Sequence, residues 1–152
     1  MEIKIQSSQP SIIHGEGLQI ELTLRNTGAE AVALPALDDP SALQPYFQVR
    51  GPSFPAPYRF HWRGKPPKAA PPVDEMIKLA PGASTQAVLG LPASLAFATP
   101  GAHELFAAYE WRGAVVESNR ITVKVEAPAA PLFRVVGRTP LRSEVGIQAL
   151  SV

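Results

Sequence analysis

A stretch in which apolar and polar residues alternate, Pro100 to Glu126, constrains the fold of this chain most. The apolar or aromatic face of its first half consists of His103, Leu105, Ala107, Tyr109 and Trp111. The opposite face carries the charged residues Glu104, Glu110 and Arg112. In its second half the apolar positions are Ile121, Val123 and Val125. A period of two is typical of strands with one buried face, and the glycine in Arg112–Gly113–Ala114 suits a tight reversal, so the stretch predicts a β-hairpin.

Short runs with the same period recur along the chain, and the clearest is Leu18 to Arg25. Together they predict about seven or eight strands, with turn signals every 8 to 12 residues, which is the pattern of an antiparallel β-sandwich. No dozen consecutive residues keep an apolar repeat of 3.6, which argues against a βαβ architecture. The predicted fold class is therefore all-β.

The 17 prolines among 152 residues support this prediction. They are more than twice as frequent as the usual value of about 5%, and they separate the apolar runs, as expected for many turns and little helix. The length fits one domain with a short extension. We expect a sandwich over residues 1–126, a Pro-rich aromatic and basic insert at 51–74, and an Ala/Pro linker with a strand-like extension at 127–152.

Charge and cysteine content exclude several classes of function. The net charge of +1 predicts no general attraction to nucleic acid, and the lack of cysteine excludes disulfides and thiol chemistry. The amino terminus has no signal-peptide pattern, and no apolar run has the roughly 20 residues of a spanning helix. We expect a protein without a membrane span, cytoplasmic as the sequence stands, or extracellular if a leader has been removed.

Several phrases of the chain resemble bacterial immunoglobulin-like domains. They are Gly15–Leu18, Leu24–Gly28, Leu79–Gly82, Thr99–Leu105 and Glu117–Val123. The resemblance covers about residues 14 to 126 and includes adhesion-type modules and the intracellular proteinase inhibitors of bacilli. It implies an immunoglobulin-like sandwich, and it is specific to a fold rather than to a function.

No motif in the chain specifies a reaction, a metal or a cofactor. The three histidines lack metal-ligand spacing, and His103 on the inward face is best interpreted as a hydrogen-bonded core residue. Asp38 and Asp39 lack the remaining oxygen ligands of a calcium loop and suit a turn or a helix cap instead. There is no nucleophile elbow and no phosphate-binding glycine loop. We therefore expect no enzyme activity and no cofactor.

The insert is the best candidate for a binding site. From Asp39 to Asp74 there is no other acidic residue, while the stretch holds five basic residues and six of the eleven aromatic residues of the chain. Its candidate binding residues are Tyr58, Arg59, Phe60, Trp62 and Arg63. Aromatic and Arg side chains are enriched in recognition surfaces. The alternative is that the aromatic rings close one end of the sandwich while the basic residues are only solvated, and the sequence leaves both open.

The preferred function is a non-catalytic binding or structural module that recognises another protein or a neighbouring domain. One alternative is a cytosolic proteinase inhibitor that presents the insert to a protease. Another is carbohydrate binding through Tyr58, Phe60 and Trp62. The sequence predicts no nucleic-acid partner and gives no oligomeric state.

Overall fold

Eleven strands make up the part of the chain that the computed structural model describes, which is residues 1–37, 45–52, 54–62, 72–92, 97 and 99–128. The strands are β1 Glu2–Ser7, β2 Ser11–Ile13, β3 Leu18–Arg25, β4 Val32–Leu34, β5 Tyr46–Gly51, β6 Phe54–His61, β7 Ile77–Leu79, β8 Ser84–Leu91, β9 Gly101–Trp111, β10 Ala114–Glu117 and β11 Ile121–Glu126. A short 3₁₀ turn, Val73–Glu75, precedes β7. Within these ranges there is no α-helix, so the all-β prediction is confirmed.

Three sheets contain these strands. The six-stranded sheet has the order β2-β11-β9-β5-β6, with β10 also paired to β9; the three-stranded sheet has the order β1-β3-β8. Strands β4 and β7 form a separate pair. All pairings are antiparallel except that of β2 with β11, which is parallel.

One hydrophobic core joins the two larger sheets. The three-stranded sheet contributes alternate residues of each strand, such as Ile5, Leu22 and Leu89, and the six-stranded sheet contributes residues such as Phe47 and Val123. Their side chains are buried because strand residues two apart point to the same face. The pattern predicted for Leu18–Arg25 is confirmed by the alternating burial of β3, and β8 alternates in the same way.

The predicted hairpin is present, and its turn is tight. Trp111 pairs with Ala114, and the two residues between them, Arg112 and Gly113, have φ angles of 49° and 78°. Two consecutive positive φ angles are typical of the type I′ turn, whose twist matches that of the flanking strands. The second arm of the hairpin is divided, because β10 pairs with the end of β9 and β11 pairs with its beginning.

The division of the second arm lies at Ser118 and Asn119. The Ser118 hydroxyl accepts a hydrogen bond from the Ala107 backbone N–H at 2.9 Å. The Asn119 side chain leaves the sheet and bonds to the backbone of Ile5 in β1. Its Oδ1 accepts from the Ile5 N–H at 2.9 Å, and its Nδ2 donates to the Ile5 carbonyl at 3.1 Å. The interruption of one arm therefore connects the two large sheets.

The buried amide of Asn26 connects two turns. Its Nδ2 donates to the carbonyls of Glu30 and Leu79, and its Oδ1 accepts from the Gly28 N–H. The side chain satisfies three backbone groups, which explains why a polar residue is only 1% exposed there. Backbone bonds from Asn26 to Ala83 and from Gly82 to Asn26 complete this junction.

Three details of the strand prediction are wrong. The described part of the chain has eleven strands rather than about seven or eight. The strand Ser11–Ile13 was not predicted, because three residues have too little pattern to be recognised and this strand depends on pairing with distant β11. The alternation from Tyr58 to Trp62 predicts a strand inside the insert that starts at Tyr58, but β6 begins at Phe54, because its two prolines are accommodated in a bulge. The helical turn predicted near Asp38 and the extension beyond residue 128 lie outside the described residues. No helix in the described part of the chain is long and apolar enough to cross a membrane.

Candidate functional site

The candidate site is centred on β6, the last strand of the six-stranded sheet. β6 pairs with β5 on one side, and no described strand pairs with its other side. Tyr58 pairs with Val49 and Phe54 with Gly51, so three residues, Pro55 to Pro57, lie opposite the single residue Arg50. A bulge of this kind accepts prolines, which cannot donate to a strand ladder. The residues from Pro55 to Arg59 are all exposed.

A row of aromatic rings runs along the inward face of β6. The rings of Phe54 and Tyr58 stack with centroids 4.5 Å apart, and those of Tyr58 and Phe60 are 6.4 Å apart with nearly parallel planes. Phe60 in turn stacks on buried Phe47 at 5.8 Å and meets the edge of Phe97. The row therefore continues the hydrophobic core out to the sheet edge, and we call Phe54, Tyr58 and Phe60 the aromatic row.

The four predicted binding residues that the structure describes do not share one surface. Phe60 and Trp62 are half-buried and pack against the core, whereas Tyr58 has 40% of its surface exposed. Arg59 lies on the opposite face of the strand, as the alternation predicted. Arg63 lies outside the described residues. Phe60 and Trp62 therefore anchor the strand to the core, the Tyr58 phenol is exposed, and the Arg59 guanidinium lies on the outer face.

Arg59 is held on the outer face of the six-stranded sheet. Its guanidinium carbon lies 3.6 Å from the centre of the Tyr46 ring, and its Nη2 lies 3.7 Å from a carboxylate oxygen of Glu110. Tyr46 is only 5% exposed as a result, although it points away from the core. Because the side chains of Arg59 and Glu110 are both more than half exposed, the ion pair itself contributes little stability, and the cation–π contact fixes the arginine.

His61 lies beside this arginine, with its ring 5.9 Å from that of Tyr46. Burial and the Arg59 guanidinium lower the pKa of His61, against an opposing effect of Glu110. The Nδ1 atom has no hydrogen-bond partner among the described residues. A lowered pKa keeps this imidazole neutral at pH 7, so Arg59 is the cationic member of the pair.

A second arginine covers a second aromatic ring on the same outer face. The guanidinium carbon of Arg120 lies 4.3 Å from the centre of the Phe106 ring, and its nitrogens lie 3.5 Å from Glu104 and 3.8 Å from Glu117. Phe106 is only 5% exposed. The periodic pattern predicted neither covered ring. The one available signal was an aromatic residue at an outward position of a strand, Phe106 between Glu104 and Ala108.

His103 is a core residue, as the sequence predicted. It is fully buried, its Nδ1 is 3.1 Å from the Gly101 carbonyl, and its ring meets Phe97 edge to face. A methyl group at Gly51 would collide with the imidazole, so this glycine leaves the space that the ring occupies. No group of three metal-ligating side chains occurs among the described residues.

An open depression of about 320 Å³ lies next to the bulge. Its walls include Arg50 and Pro55 on one side and Glu104 and Thr122 on the other. Its lining contains a basic side chain, an acidic side chain and a proline ring, so it suits a ligand that has a polar group next to an apolar one. It adjoins the strand that carries Tyr58.

Comparison with known proteins gives a likeness in fold only. Neither the family models nor the curated proteins include a match to the sequence. Among solved structures, a β-glucosidase from Listeria innocua in complex with glucose is 16% identical with a TM-score of 0.47, and the match covers 82% of this chain and 16% of the other. The sporulation control protein Spo0M from Bacillus subtilis is 14% identical with a TM-score of 0.49, covering 84% of this chain and 49% of the other.

The alkylpurine DNA glycosylase AlkC from Pseudomonas fluorescens, bound to DNA containing an abasic site analogue, is 14% identical with a TM-score of 0.45. That match covers 81% of this chain and 30% of the other. This chain therefore spans about a sixth to a half of the length of these proteins. It is a small all-β domain similar to domains within larger proteins, and these matches assign no family.

Proposed function

We propose that the chain is an immunoglobulin-like β-sandwich that acts as a non-catalytic binding module for another protein or a neighbouring domain. The architectural part of the proposal is supported by the two larger sheets, which share one core and are built mainly from antiparallel strands. β1 belongs to the three-stranded sheet and β2 to the six-stranded sheet, so the amino-terminal segment contributes a strand to each. Strand-switching of this kind makes the corners of packed sheets.

The binding surface that we propose is the exposed part of β6, with Tyr58 as its anchor. Tyr58 is an exposed aromatic residue whose neighbours Phe54 and Phe60 hold its ring in place from the two directions of the strand. A side chain already fixed by stacking loses little conformational entropy on binding, which favours affinity. This restrained but exposed phenol is the observation that carries the proposal.

The surroundings of Tyr58 fit a protein partner better than a sugar. Sugars bind aromatic platforms through an open ring face, but here the ring of Phe54 stacks on that of Tyr58 with centroids 4.5 Å apart, and the nearly parallel ring of Phe60 lies 6.4 Å away. Phe60 and Trp62 are packed against the core. A hydroxyl for hydrogen bonding with an apolar ring behind it, next to a polar depression, is the composition of a protein-binding centre with a polar rim.

The first test compares Tyr58→Ala with Phe60→Ala. Partners are captured from an extract of the source organism with the unmodified protein, identified, and titrated against each variant. We expect Tyr58→Ala to weaken a true partner by about 2 kcal/mol or more, roughly 30-fold, with little change in melting temperature. Phe60→Ala should lower the stability instead, because it removes a ring that contacts buried Phe47 and Phe97.

Val115→Ala is the matched control, since Val115 is an exposed apolar residue, 52% accessible, on the β9–β10 hairpin. Its partners and affinities should equal those of the unmodified protein. If every captured protein binds Tyr58→Ala as tightly as the unmodified chain, the proposed surface is wrong. A glycan array and a panel of serine proteases test the two alternative functions, and a Tyr58-dependent signal in either would replace the proposal.

A further inference from the structure

Edge strands expose unpaired backbone groups, so proteins block them against unwanted pairing. The six-stranded sheet ends in β2 and β6, and the three-stranded sheet ends in β1 and β8. β2 is only three residues long, and β10, which pairs with β9, only four. β6 carries a bulge with two prolines. The backbone of Ile5 in β1 is bonded to the Asn119 side chain. Each of these strands thus has a feature that limits pairing.

β8 has none of these features. It is eight residues long, and each residue from Ser84 to Leu91 pairs in register with β3, without a bulge. It contains no proline and no charged residue. The outward-facing side chains are those of Ser84, Gln86 and Val88, followed by Gly90, and Val88 is 66% exposed. No described strand pairs with the outer side of β8.

We propose that β8 is the interface between two copies of this chain, which pair antiparallel along this edge. The pairing would join the two three-stranded sheets into one continuous sheet of six strands. A two-fold axis at Val88 would place Val88 against its own copy and Leu89 against Ala87 of the partner copy. Gln86 would face Gly90 of the partner copy.

The lack of charge on β8 favours a second copy as the occupant. In a two-fold interface, a residue on the axis meets itself, and residues near the axis meet close neighbours of their own copy. A charged strand such as β1, with Glu2 and Lys4, would bring its own charges near their copies in many registers, and like charges in cross-strand pairs are unfavourable. On β8 the same symmetry pairs valine with valine and leucine with alanine, which is favourable.

The test is sedimentation velocity over a wide range of protein concentration, with the unmodified protein, Val88→Lys and Val115→Lys. We expect the unmodified protein to shift from monomer to dimer as concentration rises. In Val88→Lys, two lysines would meet at the axis and the valine pair would be lost, so the dissociation constant should rise roughly tenfold or more. Val115→Lys adds the same charge at an exposed apolar position on the β9–β10 hairpin and should dimerise normally.

Hydrogen exchange locates the interface. The backbone amides of 84–91 should exchange more slowly at concentrations at which the dimer forms, and this protection should be absent in Val88→Lys. Gln86→Lys serves as a second variant, and circular dichroism checks that each variant is folded. A protein that is monomeric at all concentrations overturns the proposal, whether or not these amides are protected. A dimer that Val88→Lys and Gln86→Lys leave unchanged also overturns it.

Discussion

Asn119→Ala tests whether a single side chain couples the two large sheets. The Asn119 amide bonds to both the N–H and the carbonyl of Ile5, and so makes the two hydrogen bonds that a neighbouring strand would otherwise make. Alanine at position 119 removes both bonds and supplies no substitute. Ile5 is 3% exposed, and both of its bonds to Asn119 are partly buried, although Asn119 itself is an exposed residue.

The expected loss follows from the two groups left without partners. A buried backbone group that loses its hydrogen bond costs about 1–3 kcal/mol. Both bonds are partly buried, which places each cost in the lower half of this range. We therefore expect the free energy of unfolding to fall by about 2–4 kcal/mol. For a domain of this size, this corresponds to a decrease in melting temperature of about 4–16 °C.

Urea denaturation measures the free energy of unfolding, and exchange of the Ile5 amide localises the effect. Asn119→Asp serves as a partial variant, because its carboxylate can still accept from the Ile5 N–H but cannot donate to the Ile5 carbonyl. We expect its loss to be smaller than that of Asn119→Ala. If Asn119→Ala changes the free energy of unfolding by less than about 0.5 kcal/mol, the usual range of a surface substitution, the coupling argument fails.

Three further predictions concern the core. Leu22→Ala should cost about 2–5 kcal/mol by urea denaturation, since Leu22 is fully buried, whereas the same change at outward-facing Glu21 should stay within about 0.5 kcal/mol. Gly51→Ala should destabilise the protein by about 1–3 kcal/mol, because the new Cβ would lie 2.9 Å from Cγ and Nε2 of His103. The cost should be smaller in a His103→Ala background, and equal costs in the two backgrounds of this double-mutant cycle would contradict the contact. Burial raises the pKa of Tyr109 from 10.0 to about 12, so the unfolded chain loses this proton first and the free energy of unfolding should fall between pH 10 and 12. Tyr109→Phe should lack this alkaline loss of stability. If the variant loses as much stability over this pH range as the unmodified protein, the loss does not come from Tyr109.

The strands that were predicted well have a periodic pattern that depends on their own residues. Buried and exposed residues alternate along β3 and β8, and a strand with one face on the core can be predicted from this pattern alone. β9 was only half predicted by this rule. Its inward set is buried as expected except for half-buried Trp111, but the outward residues Phe106 and Ala108 are buried as well. Arg120 covers Phe106 from another part of the chain, and a periodic pattern contains no information about such long-range contacts.

The candidate site shows the same division. The alternation correctly separated the rings of Phe60 and Trp62 from Arg59, because neighbouring residues of a strand point to opposite faces. It did not show that Phe60 stacks on Phe47, or that Arg59 covers Tyr46, since both contacts depend on the register between β5 and β6. The register depends on the bulge at Pro55 to Pro57, which appeared in the sequence only as an interruption.

The parallel pairing of β2 with β11 has a consequence for biosynthesis. β1 can pair with β3 soon after both are synthesised, but β2 finds its partner β11 only near the end of the described residues, and the bonds between Ile5 and Asn119 span 114 positions. At a translation rate of 5–20 residues per second, roughly 6 to 23 s pass between the synthesis of these two residues. During this time β2, with Ile12, has no strand to pair with, and Ile5 lacks its bonds to Asn119. β2 must therefore remain unpaired until the ribosome has added β11, and early release of a shortened chain would leave Ile12 without its neighbouring strand.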